Sequence, residues 1–149
     1  MEVQKDFREL LESLNARGVE YVIVGAHALA FHGVPRYTGD IDLLVKPSGD
    51  NARRIMDSLT AFGFGDIGLE ASDFETPGNV IQLGRPPVRV DIMTSIDGVS
   101  WEAVDIDKTP GQYADLDVFY IGREQFIANK KAIGRHRDLA DIEMLEADD

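Results

Sequence analysis

Phe7, Leu10, Leu11 and Leu14 recur at intervals of three and four, the spacing of one helix face. They predict an amphipathic helix over residues 3–17, ended by Gly18. The period then changes. Tyr21-Val22-Ile23-Val24 is a short β-rich run closed by Gly25 and reads as a buried strand. Residues 26–31 are alanine-rich and predict a short helix, closed by His32-Gly33 and Pro35. Residues 41–45 form the next strand, which ends at Pro47-Ser48-Gly49. Residues 50–61 form a helix with Ile55, Met56 and Leu59 turned inward.

The segment 64–68 is too rich in glycine to predict an element. Residues 79–84 and 88–92 read as two strands, and the turn over 84–87 joins them as a hairpin. Residues 101–104 read as a short helix or part of a connection, and 118–121 as the last strand. Two helices follow, over 123–132 and 137–146, with Gly134 between them and a polar tail over 146–149. This order implies an α/β (α+β) fold with a central mixed β-sheet flanked by helices. It forms a single domain over residues 1–149, with the helical element 123–146 packed on it.

Composition acts mainly by exclusion. A chain of 149 residues fits one domain. Fifteen Lys and Arg against 27 Asp and Glu give a net charge of −12. Such a chain is unsuited to wrapping nucleic acid, because phosphate contact needs neutralising cations. It can still hold nucleotides through a metal ion or a local basic patch. The lack of cysteine excludes disulfides, thiolate zinc sites, iron–sulfur clusters and thiol nucleophiles. No run approaches the roughly 20 apolar residues that span a bilayer. The charged N-terminus is unlike a signal peptide. A cytoplasmic location without a membrane partner is expected.

The informative chemistry lies in Thr38-Gly39-Asp40-Ile41-Asp42-Leu43. Strand side chains alternate, so Asp40, Asp42 and Leu44 share one face while Ile41, Leu43 and Val45 turn to the core. Two carboxylates about 7 Å apart on one strand are unfavourable unless a cation joins them. Magnesium suits such oxygen ligands and keeps waters for a phosphorylated substrate, and manganese is the alternative. By the same alternation Arg89, Asp91 and Met93 share a face. If the two strands are neighbours, Asp91 completes a cluster suited to two-metal phosphoryl transfer. It can then also act as base toward an attacking hydroxyl. Upstream, Gly25-Ala26 follows a strand and opens a helix, so its free amides are placed to hold a phosphate.

The run Val24-Gly25-Ala26-His27-Ala28, His32-Gly33, Arg36, Thr38, Asp40-Ile41-Asp42-Leu43 and later Asp91 resembles the minimal nucleotidyltransferase superfamily. The closer likeness is to the nucleotidyltransferases of bacterial abortive-infection and toxin–antitoxin systems and their small relatives. Its core covers residues 21–45, and Asp91 and the C-terminal segment extend it over most of the chain. The resemblance implies that Asp40 and Asp42 bind magnesium, that Asp91 is the third carboxylate, and that Gly25 and the next residue contact a nucleoside triphosphate. The chain departs from the pattern at that next residue, where Ala26 stands in place of the usual Gly or Ser and offers no hydroxyl. The resemblance implies transfer of a nucleoside monophosphate to a hydroxyl on RNA (such as tRNA) or protein. The alternatives are a nucleotide- or metal-binding module with little or no turnover, or an interaction protein paired with an antitoxin-like product of a neighbouring gene. Oligomeric state is open.

Other residues carry two readings each. Arg36 and Thr38 are candidate nucleotide contacts: Arg36 neutralises a phosphate or else pairs with Asp40, and Thr38 can also cap or steady the loop into the strand. His32 supports the site or simply closes the short helix, and His27 reads as a rim residue. Lys130, Lys131, Arg135 and Arg137 form the only dense basic patch in the chain. Lys130 or Lys131 can reach a triphosphate, while Arg135 and Arg137 can pair with Asp138 or Asp141. In the resembled family a similar element, running from Lys through Gly-Arg to a pair of Asp, packs beside the active site. The plainer reading is a salt-bridged helix cap that binds nothing.

Overall fold

The computed structural model describes residues 5–65, 67–85 and 88–147. Its elements run α1 (Lys5–Ala16), β1 (Tyr21–Val24), α2 (Gly25–Phe31), β2 (Asp40–Val45), α3 (Gly49–Phe62), β3 (Val80–Arg85), β4 (Val88–Met93), α4 (Trp101–Asp107), β5 (Thr109–Tyr113), β6 (Leu116–Tyr120), α5 (Arg123–Ile133) and α6 (His136–Ala147). A 3-10 turn at Ala71–Phe74 buries the Phe74 ring completely. Residues 3 and 4 of the expected first helix, Pro86 and Pro87 of the expected turn, and residues 148 and 149 of the expected tail lie outside the described residues.

The strands form one mixed sheet in the order β3-β4-β2-β1-β6-β5. β1 runs antiparallel to β2 and parallel to β6, β2 runs parallel to β4, and two antiparallel hairpins close the edges. The fold is thus α/β, with a central mixed sheet flanked by helices. β2 is one of the two central strands, and its apolar run is buried: Ile41, Leu43, Leu44 and Val45 are all at most 1% exposed. Phe7, Leu10, Leu11 and Leu14 of α1 are equally buried, and α1 packs against α3 and the sheet.

Local chemistry sets the ends of the elements. Ser48 caps α3 by accepting a hydrogen bond from the Asn51 amide at 3.3 Å. The Asn51 side chain then reaches back to Glu20 and Lys46 of the β1–β2 strand pair at 2.8–3.0 Å. Gly134 takes the left-handed conformation, with φ +70°, that ends α5 and lets α6 fold back.

One strand is absent from the sequence reading: β5 pairs with β6. Of the two readings for residues 101–104 the helix holds, and it runs on to Asp107. Among the described residues no helix is long and apolar enough to cross a membrane.

Candidate active site

β1 ends at Gly25, whose φ is +68°. Val24 before it is extended and lends no side-chain cap to α2. The antiparallel register sets Val24 opposite Asp42, so Gly25 falls beside the Asp42 side chain. A Cβ at this position would lie 2.1 Å from Asp42 Oδ2. Glycine is therefore required twice, by backbone and by the carboxylate against it. Gly25→Ala should cost about 1–2 kcal/mol through the left-handed backbone alone, plus the displaced carboxylate. Thermal melting of that variant checks the first part. Adding Asp42→Ala should restore the share that comes from the clash, as a double-mutant cycle would read.

Thr38 fixes the entry to β2. Its Oγ1 accepts from the Asp40 amide at 3.1 Å and contacts the Asp40 carbonyl at 3.3 Å. That is the steadying role expected of it. β4 lies parallel beside β2, with Asp42 in register with Asp91 and Asp40 in register with Arg89. Partners in adjacent strands share a face. The neighbour relation left open by the sequence is therefore met, and Asp40, Asp42 and Asp91 stand on one side of the sheet.

Electrostatics follow from this crowding. Burial, then the charges of Asp91 and Asp40, push the Asp42 carboxyl up to about 7. Arg89 lies among the three: its Nε is 3.1 Å from Asp91 Oδ1 and its Nη2 is 2.9 Å from Asp40 Oδ2. Among the described residues no three Asp, Glu or His side chains are gathered ready to hold a metal ion. The donor chemistry nonetheless fits a hard divalent cation. Asp42 and Asp91 offer paired carboxylate oxygens whose mutual repulsion such an ion would relieve.

The opposite wall comes from α5, α6 and the loop before β2. Lys130 Nζ lies 3.2 Å from Asp138 Oδ1 and 3.8 Å from Asp141 Oδ2. Arg135 Nε donates to Asp138 Oδ2 at 2.6 Å. Arg36 pairs with Asp141, not with Asp40. Arg135 and Lys130 together hold the Asp138 carboxyl down at about 2. Around the buried Asp138 and Asp141, Arg36 and Arg135 reach outward while Lys130 stays mostly buried, and with Arg137 this wall carries four cations against those two carboxylates.

Floor and wall enclose a cleft of about 630 Å³, within the range of small-molecule sites. Asp40, Asp42 and Asp91 line it, as do Gly25, Ala26, Arg36 and Thr38. From the basic patch Lys130, Arg135 and Arg137 line it, and Lys131 does not. Lys131 is exposed on another side of α5. His32 is also away from the cleft: its Nε2 lies 2.7 Å from the Ile121 carbonyl, the helix-closing reading. His27 is no rim residue. It is 6% exposed and sits edge-on between Phe7 and Tyr113. Asp138 lies beneath the surface of the wall, paired with Lys130 and Arg135.

Arg89 and Tyr37 are among the lining residues to which the sequence reading gave no role. Arg89 carried a signal, since a residue two before Asp91 on a strand shares its face. Tyr37, 80% exposed on the cleft, carried none beyond its place between Arg36 and Thr38.

The family described as nucleotidyl transferase of unknown function (DUF2204) matches residues 3–147. No curated protein matches the chain. Among solved structures, TM1012 of Thermotoga maritima, described as a candidate nucleotidyltransferase, superposes with a TM-score of 0.61 at 15% identity. The match covers 99% of this chain and 97% of that one, and at this identity it speaks for a common fold.

Proposed function

The chain belongs to the nucleotidyl transferase family of unknown function (DUF2204), and from that membership we propose that it transfers a nucleoside monophosphate from a nucleoside triphosphate to a hydroxyl. The observation that carries this reading is the register of β2 on β4. It sets Asp42 beside Asp91 at the floor of a cleft whose other wall is cationic.

In this reading Asp40, Asp42 and Asp91 hold magnesium or manganese, which supplies charge neutralisation at the transferred phosphoryl group. Asp91 accepts the proton of the acceptor hydroxyl. The acceptor oxygen bonds to the α-phosphorus as the bridge to the β-phosphate breaks, and pyrophosphate leaves. The amides of Gly25 and Ala26 hold phosphate oxygens through the backbone, so the missing hydroxyl at Ala26 removes one contact only. Lys130 and Arg36 face the triphosphate from the other wall, and Thr38 keeps Asp40 in place. The acceptor is an RNA or a protein. An RNA would dock at Arg135 and Arg137, because the rest of a chain at −12 repels it.

A second reading has support of its own. Ala26 and the guanidinium lodged among the carboxylates both favour a nucleotide-binding module with little turnover. Calorimetric titration with non-hydrolysable analogues of ATP, GTP, CTP and UTP, with magnesium and with EDTA, tests the shared premise. Binding should need magnesium and vanish in Asp42→Asn. Binding of equal strength in EDTA would refute both readings. Pyrophosphate release with a true triphosphate then separates transferase from module.

A further inference from the structure

Arg89 donates from Nε to Asp91 Oδ1 and from Nη2 to Asp91 Oδ2, both at 3.1 Å. The same Nη2 lies 2.9 Å from Asp40 Oδ2. One monovalent cation thus occupies two of the three carboxylates. It is also reachable: Arg89 lines the cleft, and its side chain is 30% exposed.

We propose that Arg89 makes cation binding at Asp40, Asp42 and Asp91 conditional on the nucleotide, holding the carboxylates closed to a free divalent ion and yielding them to a metal–triphosphate complex. The inference rests on the nucleotidyltransferase reading above. A divalent ion arriving alone at Asp91 meets the guanidinium charge at close range, where repulsion is poorly screened in a partly buried site. It must also break a two-pronged carboxylate pairing, the strongest kind arginine makes. The displaced guanidinium gains no phosphate in return. A triphosphate changes that balance, because its oxygens match the same fork and carry more charge than one carboxylate. Arg89 moves from Asp91 to phosphate and leaves Asp40 and Asp91 free. The residue therefore sets specificity: it selects the metal–nucleotide complex over the metal alone. By linkage, the metal tightens the nucleotide by the same factor as the nucleotide tightens the metal.

The test titrates Mn²⁺ alone, and Mn²⁺ with the four triphosphate analogues, into the full chain, following free Mn²⁺ by its paramagnetic resonance. Arg89→Gln should bind Mn²⁺ alone about tenfold more tightly than wild type, and the help given by the nucleotide should fall by a similar factor. Arg89→Lys, with one prong in place of two, should lie between them. Equal affinity for Mn²⁺ alone in wild type and Arg89→Gln, while wild type still binds the Mn²⁺–nucleotide complex, overturns this proposal and leaves the transferase reading intact. Absence of Mn²⁺ binding in every form, with and without nucleotide, overturns both. Wild type supplies a readout that survives a misfolded variant. The Arg89 Nε–H resonance should hold its position with Mg²⁺ alone and shift with Mg²⁺ plus analogue. An equal shift with Mg²⁺ alone contradicts the proposal.

Discussion

Asp42→Asn should abolish nucleotide transfer and leave the protein as stable as wild type, or more so. The two effects have one cause. Asp42 is crowded by Asp91 and Asp40 in a partly buried position, and its carboxyl is pushed from 3.8 up to about 7. A raised carboxyl keeps its proton longer in the folded chain than in the unfolded one. Between pH 4 and 7 the folded state therefore binds more protons, and stability falls as pH rises through that window. An amide cannot ionise, and it carries no charge to repel Asp91. The variant should lose that pH slope and gain up to a few kcal/mol above pH 7. Activity should fall by at least about 100-fold, because the group that answers charge at the reacting phosphate is gone. Urea titrations at several pH values, beside a pyrophosphate-release assay, read both effects. A variant that transfers at the wild-type rate would sink the assignment. One that melts well below wild type would make Asp42 a structural residue.

Asp138→Ala should behave in the opposite way. Its side chain is fully buried, and the pairing with Arg135 and Lys130 holds it at about 2. A lowered carboxyl contributes stability that is present above the ordinary value near 4 and lost as pH falls toward 2. Removing it leaves Lys130, only 13% exposed, with Asp141 at 3.8 Å as its remaining partner. Breaking such a network from one side costs on the order of 3 kcal/mol. The midpoint of urea unfolding at pH 7 should drop accordingly, and the acid limb of the wild-type profile should flatten in the variant. A change within 0.5 kcal/mol, the size of an ordinary surface substitution, would show that the wall does not depend on this aspartate.

What could be read from the sequence, and what could not, divides by range. The facing of Asp40 and Asp42 follows from strand alternation alone, and it stands in the structure. The helix over α1 and the hairpin of β3 and β4 were equally local. β5 was missed because Pro110 and Gly111 argue against a strand. It is an edge strand, where proline is tolerated. Gly111 is there for a tertiary reason, since a Cβ would come within 2.7 Å of the Phe31 ring, which stacks on Tyr120. The approach of Asp91 to Asp42 depended on strand order, which no local pattern encodes. Arg36 found its partner 105 residues away, at Asp141. Lys130 and Lys131 could not be told apart in sequence, yet one step along a helix turns a side chain by about 100°, enough to take it out of the cleft.

The place of β2 and β4 inside the six-stranded sheet has one more consequence. The three carboxylates belong to strands flanked on both sides, whereas Lys130, Arg135 and their buried aspartates belong to the last helical pair of the chain. The anionic and cationic halves of the cleft thus rest on different elements, far apart along the chain. A substitution in the final helices can therefore alter the charge of the cleft's wall while its acidic floor stays as it is.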